Sequence, residues 1–545
     1  MNENDETDAT NDGAVPAAVL AAFWDYERAL AEDDLAALGD AFVDDPGTLR
    51  GDAAGLLVGH AQISAFRGAR GGAPRRTIRD LHARVLGPDH VVVVAVIEPE
   101  AGGAGLVTQV WQRCPDGRWR ITAAQVAGPV PGADPRIWRL VGFPLVPASA
   151  PGVLEGASVA VKDLFEVKGF AVGAGNPAYL AEAYEAAPAA DHAPAVRALL
   201  EAGAQIRGIA RTDEFAYSIA GVNSHYGTPP NPRAPLRLPG GSSSGPASAV
   251  AMGHAEIGLG TDTAGSIRVP ASFQGLWGLR STYGAFSRDG LLPLAPSFDT
   301  VGWLTRSPDL LARAVRVSLD PGAALTTGSG RYVVCPALLE VAHPSVTAAF
   351  TTTLETWIRH DALPTPDHVD LPDARQAFEA FRVAQGAEVW REHGSWITKH
   401  PDSLGTDIAA RFAWAATVTS SQETEARAVL DRVRAQIDDA LEDSVLLLPA
   451  TPTAAPLRSA DAAEMDAMRS ATVALTCLAS ITGRPALSAP LLEADGAPVG
   501  LSLIGPRGSD LDVVARGAAL AAALAAALAA APGRAGRAGR AGQEV

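Results

Sequence analysis

The chain has few cysteines and a shortage of positive charge. Its 545 residues include three cysteines, Cys114, Cys335 and Cys477, which lie far apart and match no metal-ligand spacing. We therefore expect a reducing, cytoplasmic environment without a disulfide framework. The 44 basic residues are outnumbered by 61 acidic ones, which leaves a net charge of −17. Nucleic acid and anionic membranes are bound through excess lysine and arginine, so we expect neither as a partner and favour a small molecule.

The sequence also lacks a long apolar run. The longest one, residues 518–531, is fourteen residues of mostly alanine and is too short to span a bilayer. Leu520, Leu524 and Leu528 recur within it at four-residue intervals, a pattern that predicts a packed C-terminal helix. The polar, acidic N-terminus has neither the basic flank nor the apolar stretch of a signal peptide. We expect no membrane-spanning segment.

Lysine is scarce, and one lysine has an unusual setting. Lys162, Lys168 and Lys399 are the only three, so 41 of the 44 basic residues are arginine. Arginine stays protonated at ordinary pH, whereas a buried lysine can become neutral and act as a base. Lys162 ends the apolar run 157–161 and precedes Asp163-Leu164-Phe165. We expect Lys162 to be buried and the other two to lie at the surface.

The first part of the chain predicts a small α+β domain over residues 15–127. A helical pattern in residues 15–44 is followed by alternating apolar and polar positions, which indicate an antiparallel meander of four strands. These strands are expected at residues 77–86, 90–97, 106–113 and 119–126. Residues 128–153 hold six prolines and no clear periodicity, which predicts an extended linker.

Residues 154–531 form the second predicted domain. Short apolar strands alternate there with alanine-rich helices, a pattern typical of an α/β fold with a mixed, mostly parallel central sheet covered by helices. Residues 1–14 and the low-complexity tail 532–545 are predicted to be disordered.

Four segments carry the chemical signal, and two common interpretations of the glycine-rich one fail. Residues 241–245 read Gly-Ser-Ser-Ser-Gly, which is typical of a flexible linker and also satisfies the nucleophile-elbow pattern. An elbow needs a hydrophobic strand before it, but residues 237–240 are Arg-Leu-Pro-Gly. A Walker phosphate loop needs a lysine where Pro246 stands. The segments are AVKDLF at 160–165, DEFAYSIAGVNSHYGTPPNP at 213–232, PGGSSSG at 239–245 and GLGTDTAGSIRVPASFQGLWGLRST at 258–282.

Together with LLLPATPTAAP and TGRPALSAP downstream, these segments resemble the amidase signature family over about residues 155–520. The stretch at 213–232 and the motif SFDTVGW are most similar to the branch of plant indole-3-acetamide hydrolases and related bacterial amidases. The resemblance implies hydrolysis of C–N bonds by a Ser–cis-Ser–Lys triad, without a metal or a cofactor.

Carried over residue by residue, the resemblance makes Ser266 the nucleophile, Ser242 the bridging cis-serine and Lys162 the base. A neutral lysine could take the proton of Ser266 through Ser242 and return it to the leaving nitrogen. The backbone N–H groups of Thr263, Ala264, Gly265 and Ser266 are expected to form the oxyanion hole. Ala264 stands where many family members have glycine, and a positive φ there would strain it.

Residues that flank these motifs have supporting roles in this interpretation. Thr261 and Asp262 are expected to provide hydrogen bonds around the catalytic groups. Arg268 is interpreted as a structural cation, with a cation at the substrate's edge as the alternative.

The N-terminal domain resembles a second family, the AtzH-like branch of the SnoaL/NTF2-like cone folds. FWDYERAL, TLRGDAAGLLVGHAQISAFRGAR and VTQVWQRCPDGRWRITAAQVAG carry the resemblance, which implies hydrolysis of carboxylated ureas. Tyr26, Arg50 and Arg67 are the candidates for a carboxylate-binding pocket, because arginine binds a carboxylate through two hydrogen bonds. Alternatively, both arginines are solvated and Tyr26 packs on the first helix. Residues 125–127 read Gln-Val-Ala where the resemblance leads us to expect His-Val-Ser.

The predicted function is hydrolysis of a small, non-peptide amide to ammonia and a carboxylic acid. The alternatives are a hydrolase of carboxylated ureas or biuret, a glutaminase subunit of a tRNA amidotransferase, and a non-catalytic receptor. A receptor is expected to have lost the nucleophile, which is present here. We also expect a homo-oligomer formed through the N-terminal domain.

The two resemblances favour different substrates. The indole-3-acetamide hydrolase branch favours an aryl or alkyl acetamide, and the AtzH-like domain favours a small nitrogen-rich acid. Aromatic residues between 370 and 420 either line an apolar pocket or form a helix core. They are Phe378, Phe381, Trp390, Trp396, Phe412 and Trp414.

Overall fold

The computed structural model describes residues 15–52, 55–70, 75–99, 105–127, 134–320 and 322–530. It divides into two compact units, residues 1–134 and residues 135–545. The segments predicted to be disordered, 1–14 and 532–545, lie outside the described residues.

The first unit is a six-stranded sheet with three helices, and the predicted antiparallel meander is present as strands β3 to β6. Two short strands that the sequence did not reveal, β1 and β2, extend the sheet, and β1 pairs in parallel with β6. Phe23, Phe42 and Trp111 are buried in its core. The elements are α1 (Ala17–Glu32), α2 (Leu35–Asp40), β1 (Leu49–Asp52), β2 (Gly55–Val58), α3 (His60–Arg70), β3 (Arg76–Gly87), β4 (His90–Pro99), β5 (Gly105–Arg113) and β6 (Trp119–Ala127).

The second unit is an eleven-stranded sheet with helices packed on it. Its strands are β7 (Trp138–Val146), β8 (Ser158–Lys162), β9 (Gln205–Ala210), β10 (Ile257–Asp262), β11 (Trp277–Arg280), β12 (Thr300–Thr305), β13 (Tyr332–Val334), β14 (Asp367–His368), β15 (Val445–Pro449), β16 (Ala486–Ala494) and β17 (Ala497–Ile504). Its α-helices are α4 (Pro177–Ala186), α5 (Pro194–Glu201), α6 (Ser244–Ala251), α7 (Arg268–Gln274), α8 (Pro308–Ser318), α9 (Pro336–Leu339), α10 (Pro344–Arg359), α11 (Ala374–Lys399), α12 (Thr406–Ala415), α13 (Ser420–Leu441), α14 (Ala462–Thr482) and α15 (Asp510–Ala530).

The large sheet is mixed, as expected, but it is not mostly parallel. Its order is β14-β13-β15-β17-β16-β11-β12-β10-β8-β9-β7. Six of the ten neighbouring pairs are antiparallel and four are parallel. The prediction overlooked that strands joined by a short turn, such as β16 and β17, can pair only antiparallel.

Two parallel neighbours inside this sheet, β8 and β10, position the candidate site. All six residues of β10 are buried, as are four of the five in β8, because a sheet covered on both faces favours continuous apolar strands. Lys162 is the last residue of β8 and Asp262 is the last residue of β10. Parallel strands end at the same edge, so Lys162 and the loop after Asp262 come together there.

The predicted linker 128–153 was wrong over part of its length. Residues 128–133 lie outside the described residues, but residues 138–146 form β7, which pairs antiparallel with β9 at the edge of the large sheet. Proline suggested a linker, yet an edge strand tolerates proline because its outer N–H groups need no partner. Gly208 of β9 allows the close approach, since a Cβ there would lie 2.8 Å from the ring of Trp138.

The C-terminal helix α15 matches the prediction in part. Leu520 is buried against the core and its carbonyl accepts a hydrogen bond from Trp357 Nε1 at 2.9 Å, whereas Leu528 is 68% exposed. By length and composition alone, Asp510–Ala529 could cross a membrane: its mean hydropathy is 1.7 and 28% of its most apolar window is buried. The predicted stripe of three packed leucines is therefore incomplete at its far end.

Candidate active site

Lys162, Ser242 and Ser266 form one continuous hydrogen-bonded chain. Lys162 Nζ lies 2.8 Å from Ser242 Oγ, which lies 3.0 Å from Ser266 Oγ. Lys162 Nζ is also 2.8 Å from Thr261 Oγ1. A hydroxyl both donates and accepts, so the proton order along this chain can run in either direction. The fold thus brings together the three residues that the sequence singled out.

Local structure explains why the serines meet the lysine. Ser242 follows a cis Gly241–Ser242 peptide and precedes helix α6, while Ser266 lies in the short loop between β10 and helix α7. All three side chains are buried, with Ser266 the most accessible at 3%. Ser243, the next serine, instead hydrogen-bonds through its Oγ with the backbone of Thr261 and takes no part in the chain.

Burial determines the charge state of Lys162. Burial lowers the pKa of Lys162 to about 7, although the negative charges of Asp213, Asp262 and Asp299 oppose this shift. An amine with this pKa is largely neutral at slightly alkaline pH and then offers a lone pair as a proton acceptor. The sequence-based expectation of a buried lysine is correct.

A buried ion-pair cluster shapes the loop that carries Ser266. Asp262 accepts hydrogen bonds from Arg268 Nη2 at 2.7 Å and Arg280 Nη1 at 3.0 Å, and from the N–H groups of Gly265 at 2.9 Å and Ile267 at 3.1 Å. Burial alone would raise the pKa of Asp262, but Arg268 and Arg280 outweigh burial and hold this pKa well below its ordinary value. Arg268 is 1% exposed and serves as a structural cation, not one at the substrate's edge.

The amides expected to form an oxyanion hole differ in their availability. Gly265 N–H is directed at Asp262 and is already engaged, which removes it from the expected set. Within the described part of the chain, no protein group accepts from the N–H groups of Thr263, Ala264 or Ser266. The residue with positive φ is Gly265, at 128°, so Ala264 carries none of the strain considered from the sequence. A Cβ on Gly265 would also lie 3.0 Å from Val269.

A cavity opens beside Ser266, and its lining includes three residues that the sequence analysis missed. Arg382 of α11, Arg411 of α12 and Arg469 of α14 lie around it, together with the apolar Phe378. Their signal in the sequence is weak, because each is a single arginine in a different helix and arginine is abundant throughout.

The aromatic residues between 370 and 420 serve two purposes. Phe378 and Phe381 line the cavity and are buried against the helix core as well. Phe412 and Trp396 pack instead around the buried ring of Phe215, at ring-centroid distances of 5.7 and 5.3 Å. Of these aromatic residues, Phe378 and Phe381 therefore belong to the cavity, and Phe412 and Trp396 belong to the helix core.

In the N-terminal unit, the structure brings Tyr26 and Arg67 together. Arg67 Nη2 donates to Tyr26 Oη at 2.5 Å, and Arg67 Nε is buried without a hydrogen-bond partner among the described residues. Arg50 lies over the ring of Phe66 at 4.5 Å and pairs with Asp52 at 2.8 Å. Arg50 is 4% exposed and Arg67 is 8% exposed, so the alternative of solvated surface charges is wrong.

The described residues contain no group of three or more histidine, cysteine, aspartate or glutamate side chains arranged to hold a metal ion. The three cysteines are free.

Comparison with known proteins agrees with both resemblances. The sequence matches the Amidase family over residues 146–329 and 336–514, and the AtzH-like family over residues 8–129. Amidase 1 of Arabidopsis thaliana is 35% identical over 397 residues, which is 67% of this chain and 93% of that protein. The 2-amino-5-chloromuconic acid deaminase of Comamonas testosteroni is 36% identical over 378 residues, which is 65% of this chain and 79% of that protein.

A solved structure supports the same relationship. It belongs to a vestigial protein complex that reveals the evolutionary origins of an s-triazine catabolic enzyme, and it aligns with a TM-score of 0.62 and 30% identity. The alignment covers 68% of this chain and 84% of that chain. With a family match over the larger part of its length, this protein belongs to the amidase family of amide-hydrolysing enzymes, and it carries an AtzH-like domain before the amidase domain.

Proposed function

We propose that this amidase hydrolyses a small amide with Ser266 as nucleophile, Ser242 as proton relay and Lys162 as base. The observation that carries the proposal is the hydrogen-bonded chain from Lys162 Nζ through Ser242 Oγ to Ser266 Oγ, with steps of 2.8 and 3.0 Å. Because burial lowers the pKa of Lys162 to about 7, the chain can end on a neutral amine.

Each proton and bond in the proposed reaction has a defined place. Neutral Lys162 takes the proton of Ser242 while Ser242 takes the proton of Ser266, and Ser266 Oγ bonds to the amide carbon. The free N–H groups of Thr263 and Ala264 stabilise the resulting oxyanion. The C–N bond then breaks as Lys162 returns its proton to Ser242 and Ser242 passes its own proton to the leaving nitrogen. Water releases the carboxylic acid from Ser266 by the same steps.

Thr261 has a positioning role in this scheme. A neutral lysine amine has one lone pair and two N–H groups. With one N–H directed to Thr261 Oγ1 at 2.8 Å, the lone pair is free to face Ser242. The carboxylates of Asp213 and Asp299 take no part in the proton relay. Asp299 accepts a hydrogen bond from Thr263 Oγ1 at 2.5 Å and so holds the start of the loop that carries Ser266.

A serine comparison tests the identity of the nucleophile. Ser266→Ala is expected to lower kcat by at least about 10³-fold on any amide that the enzyme hydrolyses, because Ser266 is the hydroxyl of the cavity lining that is hydrogen-bonded to Ser242 and, through it, linked to Lys162. Labelling by a fluorophosphonate probe should disappear with the same change. Ser243→Ala is the matched control, because Ser243 is equally buried yet bonds to the backbone of Thr261. Retained labelling of Ser266→Ala would assign the nucleophile elsewhere.

Substitution of Lys162 tests the proposed base. Lys162→Arg should be as damaging as Lys162→Ala, with a kcat loss of about 10³-fold or more for both, because arginine keeps the charge but does not accept a proton. Circular dichroism checks that both variants are folded. If the arginine variant kept most of its kcat, a positive charge and not a base would be the requirement at this position.

The pKa of Lys162 predicts the pH profile. The amine works only when deprotonated, so kcat/KM should rise with pH through an apparent pKa of about 7 and then level off. Below that value, the rate should fall about tenfold for each pH unit. Steady-state measurement of kcat/KM against pH with a neutral amide as substrate shows this acidic fall directly. A flat profile from about pH 6 to pH 8 would contradict a lysine base.

A second candidate function concerns the AtzH-like domain, which we propose binds and hydrolyses a carboxylated urea. The supporting observation is the buried pair of Arg67 and Tyr26, in which Arg67 Nε has no partner among the described residues. A buried guanidinium with a free donor is suited to a carboxylate ligand. The buried Arg50 adds a second cation to the same domain.

The test uses the full chain with its amidase site inactivated. The Ser266→Ala enzyme should still consume allophanate, the N-carboxylated urea. Adding Arg67→Met should lower that rate at least about tenfold, because the carboxylate loses its charged partner. The exposed Arg84, in β3, provides the matched control Arg84→Met. Absence of allophanate turnover in the Ser266→Ala enzyme would rule out catalysis by this domain.

A further inference from the structure

The cavity beside Ser266 carries an excess of positive charge. Its lining combines the nucleophile and the free amides of Thr263 and Ala264 with the three guanidinium groups of Arg382, Arg411 and Arg469. No aspartate or glutamate occurs in this lining. Amide hydrolysis by the proposed triad does not require these cations, because backbone N–H groups stabilise the oxyanion.

The partners of the three arginines leave much of this charge uncompensated. Arg382 packs over the ring of Trp414 at 4.5 Å and reaches Glu379, on its own helix, at 3.1 Å. Arg411 Nη1 donates to the carbonyl of Tyr217 at 2.7 Å, a neutral acceptor. Among the described residues, neither Arg411 nor Arg469 forms an ion pair with a carboxylate.

The surroundings make this arrangement costly for the empty site. Burial, followed by the positive charge of Arg411, lowers the pKa of Arg469 to about 10, although the negative charge of Asp466 opposes this shift. Arg469 thus remains charged at neutral pH, beside like charges and in partly desolvated surroundings. Three like charges held together in a cleft raise the free energy of the empty site where carboxylates compensate them only in part, and an anion that enters relieves it. Clusters of this kind typically mark a binding site.

We propose that the substrate is an amide that also carries a carboxylate, held by Arg411 and Arg469 while its amide carbon faces Ser266. Two guanidinium groups that form no ion pair among the described residues match one carboxylate, whose two oxygens accept several hydrogen bonds in one plane. Arg382, already paired with Glu379, contributes long-range attraction. The apolar rings of Phe378 and Phe381 cover the chain between the two functional groups.

This inference rests on the proposed function, because it places the amide at Ser266, but it concerns a different set of residues. It also decides between the two substrate classes that the sequence left open. A neutral aryl acetamide would cover both half-buried arginines without giving them an ion-pair partner, whereas the carboxylate of a short amide acid supplies one. A charge that loses water without gaining a counter-ion is penalised more than a lost apolar contact.

Binding to the full-length Ser266→Ala enzyme tests the inference without turnover. Isothermal titration calorimetry would compare succinamate with butyramide, which has a methyl group in place of the carboxylate, and malonamate and glutaramate would vary the spacing. We expect at least one of the three amide acids to bind about tenfold or more tightly than butyramide. Adding Arg469→Gln should reduce that preference at least about tenfold.

The matched control is Arg432→Gln, which removes an exposed arginine on helix α13, away from the cavity lining. It should leave the preference for the amide acid unchanged. If none of the amide acids binds more tightly than butyramide, or if Arg469→Gln and Arg432→Gln behave alike, the inference is overturned. The proposed function fails separately, when the wild-type enzyme is not labelled by a fluorophosphonate and hydrolyses none of the four amides.

Discussion

The buried carboxylate of Asp262 is the constraint on which the site depends. It is held between Arg268 and Arg280 and at the same time accepts the N–H groups of Gly265 and Ile267. One side chain therefore fixes both ends of the loop that carries Ser266. Loss of one partner from such a buried pair costs about 3–5 kcal/mol, because a charge is left without compensation. The geometry of the nucleophile is thus tied to the stability of the domain core.

The same low-polarity surroundings have a different outcome at Lys162. Asp262 stays ionised because two arginines contact it, whereas Lys162 has two hydroxyl partners and, in the described part of the chain, no ion pair with a carboxylate. Burial favours the neutral form of both groups, but only at Asp262 do neighbouring charges outweigh it, although the two residues end neighbouring strands. This contrast allows Lys162 to become a neutral base next to the ion-pair cluster of Asp262, because Lys162 contacts Thr261, the residue before Asp262.

Sequence reasoning succeeded where the chemistry lies in short motifs. Lys162 was noticeable as a rare lysine after an apolar strand, and the two serines belong to contiguous glycine-rich segments. Arg411 and Arg469 could not be found this way, because they lie on separate helices and only the packing of those helices makes them neighbours. Strand β7 was missed because its prolines are compatible with a sheet edge, which is a tertiary property. The burial of Arg50 and Arg67 likewise depends on tertiary packing.

The position of β7 has a consequence for how this chain could be divided. The strand belongs to the sheet of the amidase domain, although it lies in the segment that follows the AtzH-like domain. A gene cut at residue 153 would remove it and leave the outer N–H and C=O groups of β9 unpaired. Open strand edges recruit other chains and cause aggregation. The suitable boundary for recombining the two domains therefore lies near Pro135, before the point at which the sequence begins to resemble the amidase family.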